Sequence, residues 1–296
     1  MTCRLVVAAA AVAAALTCAG PAVAAYPVED SFQRALGAGL RDPGAMPAGT
    51  NRWDCALTAE RPRPVILVHA TALPPSVNWR GLGPFLANEG FCVFTPVYGR
   101  VGGWPGLRRY EESAAELGRY VDRVLAHYPS AGKVDLVGHS QGGTMPRWYI
   151  KFLGGTETVH RQIGIAGPNA GTDFLGIMNL LKRVNGLGLV AAVGPAFRQQ
   201  VKGSPILRAL NAGDRTPGNV LYDTISSRYD EVLTPYTSAF MPDAASNWTV
   251  QHGCWRDISD HTQIVYSRRV MTRVANLLDG GSRTLPCRTE VPFGSP

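Results

Sequence analysis

The run Gly138-His139-Ser140-Gln141-Gly142 carries a serine between two glycines, the spacing at which a hydroxyl can be presented as a nucleophile. In a chain with 33 glycines that spacing alone is weak. Its flanks strengthen it. "VDLV" before it reads as a strand, and the amphipathic run after it reads as a helix. A nucleophile elbow needs that order: strand, sharp turn with the serine at its apex, helix. The serine backbone is strained there, so its neighbours must be small. Gly138 and Gly142 meet that need, and Gly143 lets the helix approach closely. No other Gly-x-Ser-x-Gly occurs in the chain. The competing reading is an ordinary structural turn.

A serine hydroxyl is a poor nucleophile until a base takes its proton. Around such an elbow the partners follow in the order serine, acid, histidine. His69, His127 and His139 precede the serine or adjoin it, and His160 comes before any candidate acid, which leaves His252 and His261. His261, in "ISDHTQ" at the mouth of the last expected helix, is the favoured base. His252, in "VQHGCW", reads as a surface or packing residue. The segment "LYDTISSRYDEVLTP" offers three acids. Asp223 falls inside a strand, Asp230 falls in the loop after it, and Glu231 adjoins Asp230. Asp230 is favoured, to hold one His261 nitrogen and stabilise the imidazolium. Asp260 neighbours the base and reads as a helix cap. An oxyanion needs two donors. The N–H of Gln141 is one, and Thr71 in "HATAL" is the other, through its N–H and its hydroxyl.

The elements that must position these groups alternate. Val65 to Val68 is a continuous apolar run, as in a strand buried on both faces. Further strands are expected near Phe91 to Phe94, in "KVDLVG", at Ile163 to Gly167 and at Asn219 to Ser227. Helices are expected at Trp79 to Glu89, Tyr110 to Tyr128, Gly142 to Phe152 and His261 to Leu278. Alternation of this kind implies an α/β fold, a mostly parallel central sheet with helices on both faces. Residues 173–215 break the rhythm: they are apolar, glycine-rich and too long for a simple connection. They read as a cap over the site forming an acyl-binding wall, with a pair of core helices as the alternative. Residues 26–61 read as an irregular lead-in to a catalytic domain over 62–296.

Composition sets the surroundings. Arg4, the apolar run Leu5 to Leu16 and the small residues Ala22 to Ala25 describe a secretory signal over 1–25. No later apolar run approaches the roughly 20 residues of a membrane span. Cys3 and Cys18 leave with the signal, so Cys55, Cys92, Cys254 and Cys287 remain for disulfides. Three connectivities are open. Pairing neighbours along the chain, Cys55–Cys92 and Cys254–Cys287, ties each flank to the core. There is no Cys-x-x-Cys, which argues against zinc or a redox site. The net charge of +7 comes from scattered arginines and lysines without interleaved aromatics, which does not favour nucleic acid.

With these residues placed, the sequence resembles the secreted class 2 lipases and esterases of actinobacteria, in the α/β-hydrolase superfamily, and more distantly yeast lipase B. The resemblance runs from about Trp53 to Cys287. It rests on "RPVILVHAT", "NWRGLGPFLANEGFCVFTPVYG", "VDLVGHSQGGTMPRWYIKFLGG", "SSRYDEVLTP" and "ISDHTQIVYSRRV". It implies Ser140, Asp230 and His261 as the triad, Thr71 and Gln141 as oxyanion donors, and the neighbour pairing of the cysteines. It also implies hydrolysis of carboxylic esters, lipid or small, without metal or cofactor. Relatives usually carry His-Gly after the first strand, whereas this chain has His69-Ala70. The expectation is therefore an exported monomeric ester hydrolase whose partners are its lipid or small ester substrate and a transient lipid interface. The rivals are an acyltransferase or polyester hydrolase with the same triad, and a non-catalytic binding protein on the same scaffold.

Overall fold

The computed structural model describes residues 25–173 and 194–295. The signal segment, except Ala25, and residues 174–193 of the cap-like stretch lie outside the described residues. In chain order the elements are α1 (Phe32–Arg41), β1 (Val65–Val68), α2 (Pro75–Asn78), α3 (Leu82–Asn88) and β2 (Val93–Phe94). Then come α4 (Tyr110–His127), β3 (Val134–His139), α5 (Gln141–Thr144), α6 (Pro146–Phe152), α7 (Gly155–Thr158) and β4 (Val159–Ile165). The chain continues with α8 (Pro195–Gln199), α9 (Pro205–Asn211), β5 (Leu221–Ser226), β6 (Ser246–Thr249) and α10 (Arg268–Asp279).

The six strands form one sheet in the order β2-β1-β3-β4-β5-β6, and every described pairing is parallel. Alternate residues of a strand face opposite sides. Accordingly Val65 and Leu67 enter one hydrophobic cluster, with α1, α3 and α10, while Ile66 and Val68 enter the other, with α4, α6 and α9. Both faces are covered, which is why "VILV" needs no polar residue. Removing one such side chain, as in Leu67→Ala, costs about 2–5 kcal/mol. Parallel pairing also brings all the strand C-termini, and the loops that follow them, to one end of the sheet.

Several local expectations are corrected. The lead-in holds a helix, α1, capped by the Ser31 hydroxyl and burying Phe32 and Ala35. The helix expected at Trp79 to Glu89 starts later, at Leu82, as α3, and in the turn before it the Arg80 carbonyl accepts the Glu29 N–H from the lead-in (3.1 Å). The helix expected from Gly142 to Phe152 divides at Pro146, which has no N–H to continue the first turn. His261 precedes a 3-10 turn over Gln263–Tyr266, and α10 begins after Ser267, whose hydroxyl caps it. β6 was not expected; its polar "SNWT" lies at the sheet edge, only partly buried.

The described part of the cap-like stretch is tied down at both ends. Gln199 accepts the Tyr110 N–H (2.6 Å), and Thr172 and Gln200 bond through their backbones (2.9 Å). From α6, Arg147 donates to the Leu210 carbonyl (3.1 Å) and Asn211 Oδ1 (2.9 Å) at the end of α9. Burial lowers its pKa to about 10. Two disulfides, Cys55–Cys92 and Cys254–Cys287, staple the N-terminal flank to β2 and the C-terminal tail to the loop after β6.

Candidate active site

Ser140 stands between β3 and α5 with φ 53° and ψ −121°, a left-handed conformation for a residue with a side chain. Its N–H is held by the Ile165 carbonyl (2.8 Å) and its own carbonyl accepts from Gly143 (2.8 Å). The glycines beside it are steric requirements. A β-carbon on Gly138 would overlap the Gly142 carbonyl, and one on Gly142 would overlap the Val68 carbonyl.

The structure brings together three side chains that the sequence holds 31 and 121 residues apart. Ser140 Oγ lies 2.9 Å from His261 Nε2. His261 Nδ1 lies 3.0 and 2.9 Å from the two oxygens of Asp230. All three are buried. Asp230 Oδ1 also accepts the N–H groups of Val232 (2.9 Å) and Leu233 (2.8 Å), which fix the carboxylate in its turn. Burial by itself pushes His261 down. The Asp230 carboxylate, with Glu231 and Asp260 behind it, outweighs that effect and holds the imidazole above its ordinary value.

The other candidates lie elsewhere. Asp223 sits in β5, paired with Arg161 and Ser246. Glu231 Oε2 accepts the His261 backbone N–H (3.3 Å). Asp260 caps the turn after it, accepting from Thr262 (3.1 Å) and Gln263 (2.8 Å). His252 is exposed. His69 is buried, stacked on Tyr98 at 4.1 Å, and lowered by burial to about 4.

The loop after β1 delivers Thr71 to Gln141. Among the described residues neither backbone N–H finds an acceptor, so both remain available as donors. The Thr71 hydroxyl is placed differently from expectation. It donates to Gln141 Oε1 (2.6 Å) and accepts from Gln200 Nε2 (3.0 Å), so its proton is committed to the glutamine. Gln200, just beyond α8, had no signal in the sequence, since its partner is 129 residues away. The extra methyl of Ala70 packs in the hydrophobic cluster under the sheet.

A second buried relay was also not legible. The Ala70 N–H donates to Asn78 Oδ1 (2.7 Å), which turns Asn78 Nδ2 toward His139 Nδ1 (3.2 Å). His139 Nε2 then donates to the His261 carbonyl (2.8 Å). Burial, with His261 nearby, lowers His139 to about 3, so the ring is neutral and keeps one donor and one acceptor. The loop carrying Thr71 is thereby tied to the loop carrying His261. Beside Thr71, Ala72, Leu107 and Phe197 form a small apolar cluster with Trp104 and Val201.

A family model described as Lipase (class 2) matches residues 62–272. The chain belongs to the class 2 lipase family. Solved structures agree on the fold. This class 2 lipase family member is similar to Aspergillus fumigatus lipase B, at 20% identity and TM-score 0.59 over 81% of this chain and 60% of that one. It is similar to Bacillus licheniformis lipase BlEst2 in mature form, at 16% identity and TM-score 0.56 over 75% of this chain and 94% of that one. It is also similar to an alpha/beta hydrolase fold protein from Chitinophaga pinensis, at 12% identity and TM-score 0.54 over 76% of this chain and 91% of that one. The fold is the α/β-hydrolase fold. The chain spans 60% of the length of the Aspergillus enzyme.

Proposed function

We propose that the protein is an exported serine hydrolase of carboxylic esters, a lipase or esterase working through an acyl-enzyme. The observation that carries this reading is the continuous hydrogen-bonded line Ser140–His261–Asp230 on a strained strand–helix elbow. Membership of the class 2 lipase family supports it.

In this reading Ser140 Oγ attacks the ester carbonyl while His261 Nε2 takes its proton. The tetrahedral oxyanion is met by the N–H groups of Thr71 and Gln141, each worth about 3–4 kcal/mol at the transition state. His261 passes the proton to the leaving alcohol, and the acyl group stays on Ser140. Water then enters by the same route, giving the acid and free serine. Asp230 holds the His261 tautomer and stabilises its charged form. The apolar cluster of Ala72, Leu107 and Phe197 supplies a wall for the acyl chain. The arginine and apolar run of residues 1–25 act as the export signal ahead of a catalytic unit over 62–296, and the two disulfides fit an oxidising destination.

The test is hydrolysis of p-nitrophenyl esters, from acetyl to palmitoyl, by the protein and its Ser140→Ala variant. Turnover that disappears in the variant, at nearly unchanged thermal stability, supports the nucleophile, and the preferred chain length separates esterase from lipase. Residual activity near that of the parent sinks the assignment.

A further inference from the structure

The active-site end of the sheet carries, beyond β5 and β6, a surface that the chemistry above does not use. Trp255 is 77% exposed, the largest exposure among the large hydrophobic side chains described, and Tyr229 is 49% exposed. Around them Arg228, Arg256 and Arg288 are all exposed. Among the described residues none of these three arginines has a carboxylate partner, and the Arg256 guanidinium lies over the Trp255 ring at 5.4 Å.

These residues belong to one surface. The Gln251 side chain accepts the Arg228 N–H (2.9 Å) and donates to Ser227 Oγ (3.0 Å) and the Asp257 carbonyl (2.7 Å), so it joins the loop after β5 to the loop after β6. The Cys254–Cys287 disulfide and the Glu290 N–H to Arg256 carbonyl bond (3.3 Å) bring Arg288 alongside. The surface is also firm. Arg269 grips the His252 and Val250 carbonyls from α10. A tryptophan is thus held out in water by a cross-linked loop, although burying it would be favourable. Of the acids between β5 and α10, Asp230, Asp257 and Asp260 are buried, Glu231 is half-buried, and the exposed Asp243 sits just before β6, so the exposed charged neighbours of Tyr229 and Trp255 in the chain are arginines.

We propose that Trp255 and Tyr229, with Arg228, Arg256 and Arg288, dock the protein on an anionic lipid surface. Exposed Trp and Tyr rings settle at the boundary between headgroups and acyl chains. Arginines near a negatively charged leaflet each strengthen attachment about fivefold. Asp230 follows Tyr229 directly in the chain, so attachment here sets the lipid against the loop that carries the candidate triad acid. The inference rests on the ester-hydrolase reading for its purpose and not for its measurement.

The experiment uses the Ser140→Ala protein, so that vesicles are not consumed, and measures co-sedimentation with phosphatidylcholine–phosphatidylglycerol vesicles and with pure phosphatidylcholine. Binding to the anionic vesicles only, weakening as salt is raised, is the expected result. Trp255→Ala should lower the partition coefficient roughly tenfold, and Arg256→Gln and Arg288→Gln about fivefold each. Arg119→Gln, on α4 over the opposite sheet face, should change nothing. Equal binding to both vesicles, or binding indifferent to these changes, overturns the proposal. So does a matching loss of turnover on a soluble short ester when the same changes are made with Ser140 intact, because the residues would then act on the site itself. Failure of the parent protein to hydrolyse any ester removes the functional reading and leaves the vesicle result standing.

Discussion

His261 is where opposing effects meet in one side chain. Burial disfavours its charged form, and the neighbouring carboxylates, Asp230 first, favour it more strongly. A base must be neutral to accept a proton. With the folded pKa raised, acidification protonates His261 earlier than it would a free imidazole, whose value is about 6.5. The expected outcome is a kcat/KM that falls on the acid side with an apparent pKa above about 6.5. Asp230→Asn removes the largest favourable partner. Its acid limb should move down, and turnover should drop by roughly 10⁴ through loss of the held tautomer. A pH–rate profile of the two proteins decides this. An Asp230→Asn limb at unchanged pH would mean that the carboxylate does not govern the histidine.

Between elements, the buried relay Ala70–Asn78–His139–His261 is the device that sets the oxyanion loop against the histidine loop. Asn78 is the last residue of α2, ahead of the turn into α3, and from there it reaches both neighbours. Asn78→Leu leaves the Ala70 N–H and His139 Nδ1 unpaired and buried. We expect kcat to fall about 10- to 100-fold with KM nearly unchanged, since positioning and not substrate binding is lost. Stability should fall by about 1–3 kcal/mol for each group left unsatisfied. Asn78→Asp keeps the acceptor for Ala70 and loses the donor to His139, so steady-state kinetics of both variants assign the loss to one bond or the other. An unchanged kcat in Asn78→Leu would show that the two loops hold their places without the relay.

At the scale of the whole molecule, the two disulfides close loops of 37 and 33 residues across the flanks of the sheet. On a chain-entropy account each stabilises by about 3–4 kcal/mol. Replacing Cys254 and Cys287 by serine should therefore lower the melting temperature by several degrees while leaving Ser140, His261 and Asp230 in register, because α10 is anchored independently by its buried face. Thermal unfolding followed by circular dichroism, alongside soluble-ester turnover, tests both halves. A large loss of turnover at low temperature would mean that the tail staple also shapes the histidine loop.

What the sequence determined by itself is local and one-dimensional. Gly-x-Ser-x-Gly after an apolar strand marks Ser140, because a positive φ at that turn demands glycines around it. A continuous apolar run marks β1, because both of its faces are buried, and apolar residues at helical spacing mark α4, because its buried face repeats at the pitch of the helix. Order along the chain reduced six histidines to two candidates. Tertiary structure decided the rest. α1 lay hidden in a glycine- and proline-rich stretch because its burial depends on β1 and α10, not on its own composition. The break at Pro146 follows from a missing N–H, and the late start of α3 accompanies the Glu29–Arg80 contact. Gln200 meets Thr71, and Asn78 meets His139, across 129 and 61 residues. Such pairs leave no periodic trace, since a hydrogen bond between loops is set by where parallel strands end.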